Sequence, residues 1–243
     1  MTVKPEQILR KVVQAYRIAL GDNFVALTLQ TNFRVVYNDI DYAILVRRLD
    51  AKSYKSIARI NQRFERKFGI TLDLFPYEVG SFREALNPWS VEIVRRNTKG
   101  VYGKNFWDTI SSTPTKIFRG AAVYLASNNE KFLRYIKNIG RQKREWIVAW
   151  ALDHLFVAIK VHNSLFGFWS LGKERNLSEL KQITPSIARR VQMIYQSYRS
   201  GTVKDPIRYL AQCYALTERI AVRAGKRTLR QFMRTHKKKP AIR

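Results

Sequence analysis

The chain has 243 residues, a formal net charge of +27, 46% hydrophobic and 12% aromatic residues and one cysteine, Cys213. That apolar content excludes a disordered chain, the lone thiol excludes an internal disulfide, and no run of about 18 apolar residues is present to cross a bilayer. These features predict a soluble protein of a reducing, cytoplasmic compartment, large enough for one big domain or two small ones.

The apolar spacing of Ile8, Val12, Val13 and Tyr16 predicts an amphipathic helix over 5–19, stopped by Gly21-Asp22-Asn23. Strand patterns follow over 24–29 and 38–46, joined by a short connection at 30–37. A helix is expected over 51–68, closed by Gly69, and a third strand over 70–77. Strand, helix, strand with a tight glycine turn is a crossover unit, so the second and third strands lie parallel, either adjacent or one strand apart.

Strand signals thin out after Ser81, and Ser111-Ser-Thr-Pro-Thr115 reads as a domain link. Long helices are expected over 119–139, 141–166, 185–200 and 206–234. Thr184-Pro185 and Asp205-Pro206 supply N-cap and first-turn residues for the last two. The expected organisation is an α+β domain at 1–112 with a mixed sheet, a helical bundle at 113–235, and a basic tail at 236–243.

The segment "VVYNDIDYAILV" places Asp39 and Asp41 in a run otherwise suited to a core. Residues i and i+2 of a strand share a face, so the two carboxylates point the same way. Like charges so close are costly in a poorly solvated place unless a cation compensates, and hard Mg²⁺ or Mn²⁺ prefers oxygen ligands. Asp73, in "ITLDLFPYE", stands mid-strand in equally apolar surroundings. If its strand neighbours the second, three carboxylates converge, and such a set can clamp the attacking and leaving oxygens of a displacement at phosphorus. The competing reading makes Asp39 a turn cap and Asp41 a solvated residue at a strand end.

On these motifs residues 8–107 resemble the nucleotidyltransferase superfamily, with its polymerase-beta-like fold. Family members carry a Gly-Ser turn, then "Ser-Asp-Ile-Asp" on the next strand, and a third Asp one helix later. This sequence has "NDIDYAILV", "ITLDLF" and then "EIVRRNTKGVYGKNFW", similar to the family's exit segment, where a helix leads to Tyr-Gly. The resemblance implies that Asp39, Asp41 and Asp73 bind metal, with Asp73 able to act as general base. The Gly-Ser turn is altered: "LQTNFR" has Gln30 for Gly and Thr31 for Ser. Thr31 and Arg34 are then the expected nucleotide-binding residues of that turn.

The rest resembles the all-helical C-terminal domain of two-domain nucleotidyltransferases, including aminoglycoside-modifying ones. By that resemblance it binds the acceptor, and Lys160 and Lys173 reach nucleotide phosphates. Glu145 and Asp153 are rare acids there, read either as an acceptor-activating base or as ion-pair partners of Arg141 or Arg144. His154 and His162 have no third ligand nearby for a metal site. Trp146 and Trp150 are spaced to pack into the core, although tryptophans of this half also suit base stacking.

Charge separates the two halves. Residues 1–117 hold 19 Lys/Arg against 11 Asp/Glu, and residues 118–243 hold 26 against 7. So basic a surface attracts polyanions; a biased composition or an anionic membrane surface are the other accounts. Lys131, Arg134, Lys137 and Arg141 recur at helical spacing, and Lys226, Arg227 and Arg230 lie in a second cluster, so both are candidate nucleic-acid contacts. The expectation is a metal-dependent nucleotidyltransferase using an NTP such as ATP, with RNA, a tRNA end in particular, as acceptor. A catalytically inactive nucleic-acid-binding relative and an antitoxin-like partner protein remain open at this point.

Overall fold

In the computed structural model, residues 5–30, 39–82, 86–137, 140 and 143–237 are described. The chain divides into two compact units, Met1–Ser111 and Ser112–Arg243.

The first unit runs α1 (Pro5–Leu20), a 3-10 turn (Gly21–Asn23), β1 (Phe24–Gln30), β2 (Asp39–Val46), α2 (Ala51–Phe68) and β3 (Thr71–Glu78). It continues with α3 (Pro88–Arg96), β4 (Thr98–Tyr102) and a 3-10 turn at Phe106–Thr109. The sheet order is β3-β2-β1-β4, with β1 antiparallel to both β2 and β4, and β2 parallel to β3. Of the two arrangements open from sequence, the second and third strands are therefore adjacent.

Alternation along β2 splits the core between the two faces of the sheet. Ile40, Tyr42, Ile44 and Val46 pack with Leu9, Val12 and Tyr16 of α1 and with Ile57 and Phe64 of α2. Ala43 and Leu45 lie on the other face, with Val91 of α3, Phe82, Phe106 and Trp107. α2 starts where the Asp50 carboxylate accepts from the Ser53 amide (2.8 Å) and ends at Gly69, whose φ of 61° gives the left-handed cap.

β4 escaped the sequence reading. "TKGVY" has too few apolar residues to show alternation; it is held by backbone pairing to β1, and Lys99 and Gly100 are exposed, as edge strands tolerate. The Tyr102-Gly103 pair ends it. Gly103 has φ 68°, and a Cβ there would stand 2.6 Å from the Val25 carbonyl oxygen, so only glycine fits. Tyr102 stacks on Phe24 at 4.7 Å.

The second unit consists of α4 (Pro114–Lys137), α5 (Arg144–Ser164), α6 (Lys173–Ile183), α7 (Pro185–Arg199) and α8 (Pro206–Lys237). α5 is the central helix, with Leu152, Leu155, Phe156, Ile159 and Val161 all buried. Residues 173–183, between two of the expected helices, form α6, which the sequence reading did not assign. α8 runs to Lys237, past the helix end expected at 234 and into the residues read as a basic tail; residues 238–243 lie outside the described residues. Among the described residues, no helix is long and apolar enough to cross a membrane.

Candidate active site

Asp41 of β2 and Asp73 of β3 are direct partners in the parallel register. Neighbouring strands are about 4.8 Å apart, and partners in register project to the same face. Asp41 is half-buried and Asp73 is exposed. The backbone of Asp39 pairs with Thr71 at the start of β2; its side chain lies outside the described residues.

The opposite face fixes this register. The Tyr16 and Tyr42 hydroxyls bond at 2.8 Å, and Tyr42 donates to the Asn61 side-chain oxygen at 2.6 Å. Asn61 Nδ2 donates to the Leu72 carbonyl (2.9 Å), and the Leu72 amide donates to Glu65 Oε1 (2.9 Å). Tyr42 follows Asp41 and Leu72 precedes Asp73, so α2 ties the two strands together beside each aspartate. Burial pushes the Tyr16 and Tyr42 phenols well above their ordinary pKa, which keeps them neutral donors. Sequence patterning marked these positions as core; the polar connections of Asn61 and Glu65 have no signature in a helix read by its apolar stripe.

The site face is covered only in part. Trp107 Nε1 donates to Thr28 Oγ1 at 3.0 Å; Tyr77 meets the indole edge-on and Phe106 packs tilted against it, and Phe82 in turn stands edge-on to Phe106. This aromatic cover lies over Ala26, Ala43 and Leu45. Phe75, register partner of Ala43, is 44% exposed, and Asp73 lies one step beyond it on the same face. Thr98 of β4 pairs with Gln30 of β1 at the open end of the sheet, and its buried hydroxyl has no hydrogen-bond partner among the described residues. A polar row thus leads from β4 towards the aspartates.

Two carboxylates level with each other on adjacent strands form a hard oxygen donor set that suits Mg²⁺ or Mn²⁺. Among the described residues no group of three or more His, Cys, Asp or Glu is arranged to hold a metal, and the side chain of Asp39 is not among those residues. Thr31 and Arg34 of the altered turn also lie outside them.

In the helical unit, Lys173 Nζ is 2.7 Å from Asp153 Oδ1, so Asp153 has an ion-pair partner at the start of α6, where the sequence reading looked to Arg141, which lies outside the described residues, or Arg144. Lys160 is half-buried on α5. His154 Nδ1 is bonded to Asn128 Oδ1 (2.6 Å), and buried His162 packs on Phe166; burial lowers the pKa of both. Trp146 corrects the core expectation: it is 55% exposed at the start of α5, edge-on to Trp150.

Lys131, Lys226 and Arg230 are exposed. Arg227 differs from them, because its Nε donates to the Leu165 carbonyl (3.0 Å) and its guanidinium lies 3.9 Å from the Phe166 ring centre. The side chains of Arg134 and Lys137, and all of Arg141, lie outside the described residues.

No protein-family model matches the chain, and no curated protein matches it significantly. Among solved structures it is similar to spectinomycin adenyltransferase from Enterococcus faecialis, solved with ATP and spectinomycin. The TM-score is 0.60 at 14% identity, over 89% of this chain and 99% of that one. Lower similarity links it to a nucleotidyltransferase-like protein from Exiguobacterium sibiricum, with TM-score 0.40 and 10% identity over 96% of this chain and 80% of that one. A complex of a tri-AMPylated HEPN toxin with MNT antitoxin from Shewanella oneidensis matches at TM-score 0.31 and 18% identity, over 55% of this chain and 98% of that one. The mixed sheet, its parallel β2-β3 pair and the helical second unit give this chain the nucleotidyltransferase fold.

Proposed function

We propose that the chain is a metal-dependent nucleotidyltransferase that moves a nucleoside monophosphate from an NTP to an acceptor hydroxyl, with RNA, a tRNA end in particular, as acceptor. The observation that carries this reading is the Asp41–Asp73 register pair at the open end of the sheet face. Two carboxylates set directly opposite one another on adjacent strands offer hard oxygen ligands, and a bound cation would offset their mutual repulsion. The adenyltransferase of the same fold was solved with ATP, which supports an NTP as co-substrate.

Asp39, Asp41 and Asp73 would hold one or two Mg²⁺ or Mn²⁺ ions. When bound, such ions neutralise phosphate charge and orient the oxygens around the reacting phosphorus. Asp73, the more exposed of the described pair, takes the proton of the acceptor hydroxyl. The acceptor oxygen then bonds to the α-phosphorus, the bond to the bridging oxygen breaks, and pyrophosphate leaves with that electron pair. Thr31 and Arg34 would hold the phosphates in place of the usual Gly-Ser turn, and Lys160 would add positive charge. Lys173 serves that role only by sharing or leaving its ion pair with Asp153.

The acceptor assignment rests on charge. With 26 Lys/Arg against 7 acids in residues 118–243, the helical half favours a polyanion over a cationic small molecule. The test is incubation with each α-labelled NTP, Mg²⁺ or Mn²⁺ and total tRNA. Label on tRNA, lost in Asp41→Asn, is the expected result. Salt-sensitive tRNA binding with no transfer of any nucleotide would instead make the chain a non-catalytic RNA-binding protein of this fold.

A further inference from the structure

The helical unit contains a groove that the transfer chemistry leaves unused. It lies between residues 190–197 of α7 and residues 209–219 of α8 and has a volume of about 440 Å³. Met193, Ile194 and Leu216 give it an apolar lining, and Arg190 from α7 and Arg219 from α8 enter it from opposite walls. Ser197 and Gln212 add neutral polar groups, and among the described residues no lining residue is acidic. The Tyr209 hydroxyl donates to the Ile194 carbonyl at 3.2 Å, which joins the two helices at this level.

The groove continues into a ridge of charge. At about 100° per residue, Arg219, Arg223, Lys226 and Arg230 fall within an arc of about 60° on α8. All four are exposed. Together α7 and α8 carry eleven Lys/Arg and a single acid, Glu218, which lies about 100° around the helix from Arg219. A row of like charges repels itself and gains most from a polyanion laid along it. An apolar lining with hydroxyl and amide groups accepts a flat base, while guanidiniums bind phosphate oxygens in a bidentate manner. An acidic peptide would match the charges but brings no flat apolar group with each one.

We propose that the α7–α8 groove is a subsite for single-stranded RNA. One base sits against Met193, Ile194 and Leu216, its flanking phosphates lie on Arg190 and Arg219, and the strand runs on along Arg223, Lys226 and Arg230. The proposal deepens the RNA-acceptor reading above and rests on it for the choice of polyanion.

The test titrates a fluorescent single-stranded RNA oligonucleotide into the full chain over a range of salt, with polyphosphate and polyglutamate as competitors. In Arg190→Gln/Arg219→Gln, affinity falls on the order of tenfold and the log–log salt slope drops by about 0.7 for each cation removed. Ala215→Trp, at an exposed lining position, fills the groove without changing charge; it weakens RNA binding and leaves polyphosphate binding unchanged. RNA affinity unchanged in both groove variants overturns the proposal, as does polyglutamate competing as well as unlabelled RNA. Absence of nucleotide transfer with these binding losses present would remove the transferase reading and leave the groove standing. Transfer with no binding loss would do the reverse.

Discussion

Asp41 and Asp73 stand opposite one another in the parallel register of β2 and β3, and the residues beside them, Tyr42 and Leu72, are both bonded to Asn61 of α2. One helix side chain thus determines how two strands present their carboxylates. The face that carries the aspartates is positioned from the face that α1 and α2 cover.

Replacing either aspartate by asparagine keeps its shape and removes its charge. Nucleotide transfer should fall by about 10²-fold or more. Stability should hold or rise slightly, because a like-charge pair across strands costs up to about 1 kcal/mol. Thermal melts of Asp41→Asn and Asp73→Asn in metal-free buffer check this, and a loss of several degrees would mark the pair as structural.

Asn61→Leu removes the acceptor of the Tyr42 hydroxyl, which keeps its bond to Tyr16, and the side-chain donor to the Leu72 carbonyl. Unfolding in urea should show a loss of about 1–3 kcal/mol. Transfer should also drop, although Asn61 lies on the helix-covered face, because the register under the aspartates is loosened. Full activity at reduced stability would show that the register needs no such tie.

Gly103→Ala places a methyl group 2.6 Å from the Val25 carbonyl oxygen at a φ of 68°. The cost should be about 2 kcal/mol or more, read as a shift in the urea midpoint. Gly69→Ala, also at positive φ but with open space around its Cβ position, should cost less.

His162 is buried, and desolvation outweighs the Asn163 bond that favours its charged form; Arg223 and Arg227 add to the depression. Burial also depresses His154. The unfolded chain takes up these protons near pH 6.5, whereas the folded chain refuses them until lower pH. Stability should therefore be level above pH 7 and decline as pH falls below about 6.5. The Tm of His162→Phe, measured from pH 8 to pH 5, should decline less than that of the wild type. Glu92 contributes lower down: burial raises its pKa, but hydrogen bonds from Arg95 and Arg96 lower it further, so its share is lost only below the ordinary carboxylate range.

The sequence made the aspartates visible because charge inside "VVYNDIDYAILV" and "ITLDLF" breaks an apolar run, and strand alternation assigns its face. Both Gly-closed helix ends and the Pro-headed helices were legible for similar local reasons. β4 was not, since "TKGVY" packs only Val101 and Tyr102 on the core, too few to show alternation, and backbone pairing to β1 holds the rest. Trp146 was misjudged because i, i+4 spacing shows which residues share a face but not whether anything covers it. Asp153 found Lys173 through tertiary contact, which helix spacing does not encode.

Binding of Mn²⁺ with a non-hydrolysable NTP, followed by electron paramagnetic resonance of the free ion, tests the central claim most directly. The wild-type chain should remove free Mn²⁺ from solution when the nucleotide is present, and Asp41→Asn and Asp73→Asn should each weaken that uptake on the order of tenfold or more. Equal uptake by all three proteins would contradict the account.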